Sequence, residues 1–347
     1  MTAAAFAIPG DIDLPTGGYT YDRRVLALLP DNGVAVRHVR LPDSFPDPSD
    51  GDLDETRRLL AIPKPTVLLI DGLAYGAMPA ALIRSLQNPI VALVHHPLCL
   101  EAGIPKLRQD ELYTLEKAAL ALARRVIVSS PTTAATLVAD FAVPAGRITV
   151  AEPGTDPAPR AQRAGKPLQL LGVGSIVPRK AYDVLVRALA PLAGRDWQLT
   201  IVGPADRSAP ALAAVQAAIQ ETGLAERITL AGPADRERLD TFYAAADVFL
   251  MPSLYEGYGM VLAEAMARGL PIVCTTGGAA ASTVPDAAAI KVPPGDVAAL
   301  SEAVCRLLDN PPLRRRLSDA AWAAGQKLPR WEATARIIAG VMRDIAP

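Results

Sequence analysis

The sequence has no excess of charge of either sign. Its 35 Lys and Arg stand against 36 Asp and Glu, a formal net charge of −1 with a pI near 6.3. A surface built to hold nucleic acid would be basic, so that class is excluded. Cysteine is scarce: Cys99, Cys274 and Cys305 are odd in number and widely spaced, which suits a reducing compartment and no disulfide framework. Cys99 follows a His pair, but no Cys-x-x-Cys accompanies it, so a thiolate zinc site is not indicated. No apolar run approaches the length that spans a bilayer. Met1–Pro9 is apolar but has no basic start, and reads as a first buried strand rather than a leader peptide. No Gly-x-Gly-x-x-Gly follows a strand, which disfavours a dinucleotide oxidoreductase. No metal is expected on a diphosphate. No repeat recurs at solenoid spacing.

What is present is apolar and alternating. Half of the 347 residues are hydrophobic, enough for large cores, and the length suits about two domains. Short apolar runs predict strands at Ala3–Ile8, Val34–Val39, Val67–Ile70, Ile90–Val94, Val126–Val128 and Ile148–Val150, then at Leu168–Val173, Gln198–Val202, Ile228–Leu230, Val248–Met251 and Ile272–Cys274. Helical patterns fall between them, including Tyr21–Leu29, Asp110–Ala123 and Gly259–Ala267. Such alternation, twice over, predicts an α/β chain with two parallel, doubly wound sheets. The Pro- and Gly-rich stretch Glu152–Arg160 with Lys166-Pro167 reads as the linker. The acidic, Pro-rich Pro42–Asp54 reads as a mobile loop.

The most informative stretch is Pro252–Pro271. Glu256 lies in a Gly-rich turn after an apolar strand, and Glu264 lies seven residues further on, inside a helix former. A helix starting near Gly259 points free N–H groups and a positive dipole end at that turn, which attracts phosphate. Gly257 and Gly259 let the backbone approach a ligand closely. Carboxylates accept from sugar hydroxyls while amides bind a diphosphate, so a nucleotide sugar fits the combination. In the same half, Leu168–Lys180 ends a strand in glycines and continues to Arg179 and Lys180, two cations at the edge where open α/β sheets bind ligands.

This stretch resembles the E-x7-E signature of retaining glycosyltransferases of the GT-B fold, family GT4. The resemblance covers most of the chain. It implies two Rossmann-like domains facing across a cleft: an acceptor-side domain over 1–156, with the tail at about 331–347 crossing back to it, and a nucleotide-sugar domain over 165–328. It implies transfer of a hexose from a UDP- or GDP-linked donor to an unidentified glycan, lipid or small-molecule acceptor, without a metal, as in envelope or polysaccharide synthesis. By the resemblance Glu256 faces the donor sugar, Glu264 binds the ribose hydroxyls, and Gly257, Tyr258, Gly259 and Met260 contact sugar and diphosphate. Lys180 matches the family's lysine. The family's preceding cation is replaced by Ser175, with Arg179 as stand-in, and its following glycine by Ala181. Gly174, Gly203 and Gly232 resemble the strand-end glycines beside the nucleotide. Gly17 and Gly18 resemble the Gly-Gly loop that approaches the diphosphate. His95, directly after a strand, is placed beside the transferred sugar in preference to His96. The family's Gly-Gly-x-Pro-Glu pattern stops here after Gly277-Gly278, and the glutamate is absent.

Two other readings stand beside this one: a sugar-nucleotide epimerase on the same fold, and a silent nucleotide-binding scaffold. The expected location is the cytoplasm. Lys106, Arg108, Lys117, Arg124 and Arg125 would face an anionic membrane were the acceptor a lipid. Interspersed Asp110, Glu111 and Glu116 favour a solvated face instead.

Overall fold

The computed structural model describes residues 1–162 and 165–346, so Pro347 of the expected last helix lies outside them. The chain forms two compact units, residues 1–154 with 329–347, and residues 155–328. Each holds a six-stranded parallel sheet flanked by helices, a Rossmann-like arrangement.

In the first unit the elements are β1 (Thr2–Pro9), α1 (Gly17–Leu28), β2 (Val34–Leu41), α2 (Asp50–Leu59), β3 (Val67–Asp71), α3 (Gly72–Tyr75), α4 (Ala80–Ser85), β4 (Ile90–Val94), α5 (Lys106–Leu122), β5 (Arg125–Val128), α6 (Pro131–Ala139) and β6 (Ile148–Val150). β3 and β4 are buried at every residue. Strands covered on both faces cannot alternate, which is why they read as continuous apolar runs. The sheet order is β2-β1-β3-β4-β5-β6. The winding therefore reverses between β1 and β3, and the carboxyl ends of those strands open the crevice where such sheets hold ligands.

Two expectations need correction here. Gly17 and Gly18 are not a loop; they are the first two residues of α1. Thr16 caps that helix by accepting from the Tyr19 amide at 3.2 Å, and the cap outweighs the low helix propensity of glycine. Pro42–Asp54 is not loop throughout either. Ser49 and Asp52 exchange side-chain and backbone hydrogen bonds in a capping box that starts α2.

In the second unit the elements are β7 (Leu168–Val173), α7 (Tyr182–Leu189), β8 (Trp197–Val202), α8 (Ala209–Thr222), β9 (Ile228–Gly232), α9 (Arg236–Ala245), β10 (Val248–Met251), α10 (Met260–Ala267), β11 (Ile272–Thr275), α11 (Ala280–Thr283), β12 (Ala289–Val292), α12 (Val297–Asp309) and α13 (Pro311–Gly325). The order β12-β11-β10-β7-β8-β9 puts the reversal between β7 and β10. β12, which the sequence reading missed, is a short edge strand interrupted by the charge of Lys291.

The last helix, α14 (Trp331–Ile345), packs on α1, β1 and β2 of the first unit. Ile338, Ala339 and Met342 are wholly enclosed there. Burial of an Ile or Met side chain contributes about 1.5–3 kcal/mol. Its entry is fixed by the Thr334 hydroxyl donating to the Glu152 carbonyl at 2.6 Å and by the Trp331 ring meeting Tyr21 edge-on at 5.8 Å. Gly154 completes the seat, because a Cβ there would lie 2.3 Å from the Trp331 amide nitrogen.

Candidate active site

The second unit gathers its chemistry at the reversal between β7 and β10. Gly174 follows β7, Gly203 follows β8 and Gly232 ends β9. The Gly174 amide donates to Val202 O at 2.8 Å and the Gly203 amide to Gly232 O at 2.9 Å. A Cβ on Gly203 would lie 2.2 Å from Gly174 O, so this backbone floor tolerates no side chain there. Arg179 and Lys180 sit on a 3-10 turn over Pro178–Lys180 that is stitched to the loop after β10. The Leu254 amide donates to Arg179 O at 2.8 Å, and Arg179 Nη1 donates to Tyr255 O at 2.8 Å.

Both cations converge on Glu256. Lys180 Nζ lies 2.6 Å and Arg179 Nη1 3.2 Å from the same oxygen, Oε1. Burial would push the Glu256 carboxyl up. The charges of Lys180 and Arg179, with the Lys180 hydrogen bond, overcome burial and hold it down to about 2. The loop carrying Glu256 is braced from behind by the turn after β11. The Glu256 amide donates to Gly277 O at 3.2 Å, the Ala279 amide donates to Glu256 O at 2.8 Å, and a Cβ on Gly278 would lie 2.4 Å from Glu256 O. Gly277 and Gly278 thus serve the site structurally even though the family's next glutamate is missing.

Beyond Glu256 the backbone continues through Gly257 and Tyr258, both buried, to Gly259 at φ 88°, a left-handed residue that turns the chain into α10 without a side-chain cap. Met260 begins the helix and Glu264 stands one turn in. Glu264 Oε2 accepts from the Tyr243 hydroxyl at 2.8 Å. Arg268 lies 4.3 Å from the Tyr243 ring centroid, donates to Glu264 O at 3.0 Å and pairs with Asp240. Burial raises the Glu264 pKa, opposed by the Tyr243 hydrogen bond and by Arg268 and Arg236. The site therefore has an ionised, doubly paired carboxylate, a helix start without a side-chain cap and a second carboxylate steered by a phenol.

The first unit has a separate cluster at its own reversal. His95 follows β4, and its Nε2 lies 3.2 Å from Asp22 Oδ1 on α1 and 3.3 Å from Asp71 Oδ2 at the end of β3. Gly18 packs on the imidazole, where a Cβ would stand 3.3 Å from Cδ2. Tyr21 meets the ring edge-on at 5.1 Å. Burial disfavours a charged imidazole, but Asp22 and then Asp71 outweigh it and raise the His95 pKa; burial raises that of Asp22. His96 turns elsewhere, with Nε2 3.1 Å from Glu101 Oε2. Gly17 lies in the cap turn of α1 beside these residues in sequence.

Sequence reasoning named His95, Glu256 and Glu264 but missed their partners Asp22, Asp71, Tyr243 and Arg268. A signal existed for two of them. Asp71 closes the otherwise apolar Val67–Ile70, and Asp22 sits between buried Tyr21 and Val25 on the inner face of α1. The basic residues of α5 are in part neutralised: Lys106 pairs with Asp110 at 2.8 Å, and Arg108 with Asp47 at 2.6 Å and Glu111 at 3.1 Å. Among the described residues no helix is long and apolar enough to cross a membrane.

Comparison with known proteins follows the same division. The profile described as "Glycosyl transferases group 1" matches residues 157–323, and that described as "Glycosyl transferase 4-like domain" matches residues 10–154. The chain is 30% identical over 271 residues to the MMP alpha-(1->4)-mannosyltransferase of Mycolicibacterium hassiacum, a match covering 73% of this chain and 64% of that protein. It is 32% identical over 244 residues to the D-inositol 3-phosphate glycosyltransferase of Acidothermus cellulolyticus, covering 65% and 54%. The match thus spans about half to two thirds of these curated relatives' length. Among solved structures, sucrose-phosphate synthase from Thermosynechococcus elongatus shares the fold, with a TM-score of 0.83 at 24% identity over 99% of both chains.

Proposed function

With the chain's membership of the group 1 glycosyltransferases as premise, we propose that it transfers a hexosyl group from a nucleoside-diphosphate sugar to an acceptor hydroxyl, with retention at the anomeric carbon. The observation that carries this reading is Glu256 held between Lys180 and Arg179, three residues before Gly259, where α10 starts without a side-chain cap. An arriving UDP- or GDP-linked diphosphate meets those two cations and the helix amides, which offset the negative charge that grows on the leaving phosphate. This arrangement asks for no metal on the diphosphate. Glu256, kept ionised, faces the sugar hydroxyls, and Glu264 accepts from the ribose.

Glu256 is engaged by two cations and is a poor nucleophile. The reading therefore uses front-face substitution. The anomeric C–O bond to phosphate breaks with its electron pair going to the phosphate oxygen. The acceptor oxygen bonds the same face of that carbon, and the acceptor proton passes to the departing phosphate. In the first unit His95, fixed by its carboxylates, is offered to a sugar hydroxyl. The acceptor side of the reading draws on the named relatives, a mannosyltransferase and an inositol-phosphate glycosyltransferase: a polyhydroxylated small molecule or glycan.

The test is thermal stability of the purified chain against UDP, GDP, ADP and dTDP without metal. Ligand that binds only the native state raises Tm by mass action. A selective rise with one diphosphate supports the donor site and names its base. No rise with any of them favours the silent scaffold, which the replacement of the family's cation by Ser175 keeps open. Conversion of a donor sugar in the absence of acceptor would instead mark an epimerase.

A further inference from the structure

We propose that Tyr182 is a further donor-binding residue of the second unit, its hydroxyl donating to the sugar-bearing phosphate of the nucleoside-diphosphate sugar. This rests on the donor reading above and adds to it a contact that carries no charge. Tyr182 opens α7 and is all but enclosed, at 2% exposure. A hydroxyl taken out of water needs a partner, since an unpaired one is costly. Three other enclosed tyrosines have theirs. The Tyr21 hydroxyl donates to Ala151 O, that of Tyr75 to Ala119 O and that of Tyr243 to Glu264 Oε2, each at 2.8 Å. Among the described residues the Tyr182 hydroxyl makes no such bond.

Its surroundings say where the partner enters. Gly172 and Gly174 are two residues apart, so they share one face of extended chain. Both lie against the phenol. A Cβ on Gly172 would stand 3.1 Å from Tyr182 Cε1, and one on Gly174 would stand 3.2 Å from the Tyr182 hydroxyl oxygen. The ring thus lies along the end of β7, in a slot left by two missing side chains. Its hydroxyl sits where the chain passes from buried Val173 to half-buried Gly174 and Ser175, the strand end at which open sheets hold ligands. The Lys180 stem borders the same place, with Cε 3.0 Å from that Gly174 Cβ position, and its ammonium ends 2.6 Å from Glu256 Oε1. A phosphate oxygen drawn to Lys180 is therefore brought to the phenol. Glu256 faces the sugar in the donor reading, so the phosphate beside Lys180 is the one that bears the sugar.

The phenol is suited to donate. Burial, and then the Glu256 charge, raise its pKa, with Arg179 opposing. It stays protonated and acts as a hydrogen-bond donor, not as a base. Lys180 and Arg179 each make a contact to Glu256, and Ser175 brings no charge where the resembling family has a cation. An O–H aimed at a phosphate oxygen forms a charge-assisted bond and leaves the pairing of Glu256 undisturbed. The ring and the hydroxyl then have separate duties: the ring fills the slot beside β7, and the hydroxyl serves the ligand.

Tyr182→Phe separates them, because it keeps the ring and removes only the oxygen. The full chain and the variant are titrated by calorimetry with whichever of UDP, GDP, ADP and dTDP raises the parent's Tm, and with the matching monophosphate. The expected result is diphosphate affinity about 10-fold weaker in the variant, the scale of one hydrogen bond to a charged group. Monophosphate affinity should be unchanged, and Tm without ligand should be equal to the parent's or higher. Undiminished diphosphate binding would overturn the proposal, as would an equal loss with both nucleotides, which marks a packing change. A fall in Tm without ligand would also overturn it, by giving the hydroxyl a partner within the fold. A parent that binds none of the four diphosphates would sink the donor reading and this inference together, whereas a parent that binds and a variant that binds equally well would sink this inference alone.

Discussion

The hydroxyl of Tyr243 donates to Glu264 Oε2 at 2.8 Å from within the core, with the Arg268 guanidinium against its ring. The second carboxylate of the E-x7-E pair is therefore aimed by a residue on another helix, α9. Tyr243→Phe keeps the ring and removes the bond. A hydrogen bond to a charged group contributes about 1.5–3 kcal/mol. Binding of the nucleoside diphosphate should weaken by roughly 10-fold or more by calorimetry, at nearly unchanged Tm. A Tm loss with unchanged affinity would make Tyr243 a packing residue only.

Lys180 and Arg179 divide the work on Glu256 unequally, at 2.6 and 3.2 Å. Lys180→Ala should lower turnover by about 100-fold, the scale seen when one preorganised charge-stabilising group is removed. Arg179 remains to pair Glu256, so the fold should persist. Circular dichroism and Tm alongside kcat check both halves of the expectation. Unaltered turnover in Lys180→Ala would remove it from the reacting centre.

Ala181 stands where the resembling family has glycine, and it adopts φ 48°, ψ 42°. A left-handed conformation costs a residue with a Cβ about 1–2 kcal/mol. Ala181→Gly should raise stability by somewhat less, about 0.5–1 kcal/mol, because glycine also loosens the unfolded chain. Urea unfolding at constant m measures it. A loss of stability would mean that the Ala181 methyl, which is buried, packs too well to give up.

Glu116 is buried on α5, accepts from the Leu98 amide at 2.9 Å through one oxygen and has no partner for the other. Burial pushes its carboxyl up to about 8, with the Leu98 hydrogen bond opposing. The folded pKa exceeds the unfolded one, so folding favours the protonated form. Its contribution is complete below about pH 4.3 and is lost as pH rises toward 8. Glu116→Gln keeps the acceptor and cannot ionise. Relative to the parent it should gain Tm at pH 8–9 and gain nothing at pH 4. A constant difference across that range would refute the assignment.

Much of the fold was legible because strands covered on both faces carry little but apolar residues; Val67–Ile70 and Ile90–Val94 left no alternative. Glu256 was legible because its turn, its glycines and its helix are contiguous. Asp22, Asp71 and His95 were not, since only the sheet order brings them together. The Gly17-Gly18 error had a local cause: glycine pairs usually mark loops, and one threonine hydroxyl decided otherwise. The capping box at Ser49 hid inside a composition that suggested disorder. Tyr243 gave no local sign at all, since its role depends on α9 lying beside α10.

The seat of α14 has a consequence for synthesis. Gly154 receives Trp331, so the first half of the chain to leave the ribosome lacks its closing element until the second half has been made. Through that interval the faces of α1, β1 and β2 that α14 covers in the folded chain lack that cover. A protein shortened by its last helix would not simply lose a tail. It would remain, permanently, at that unfinished stage.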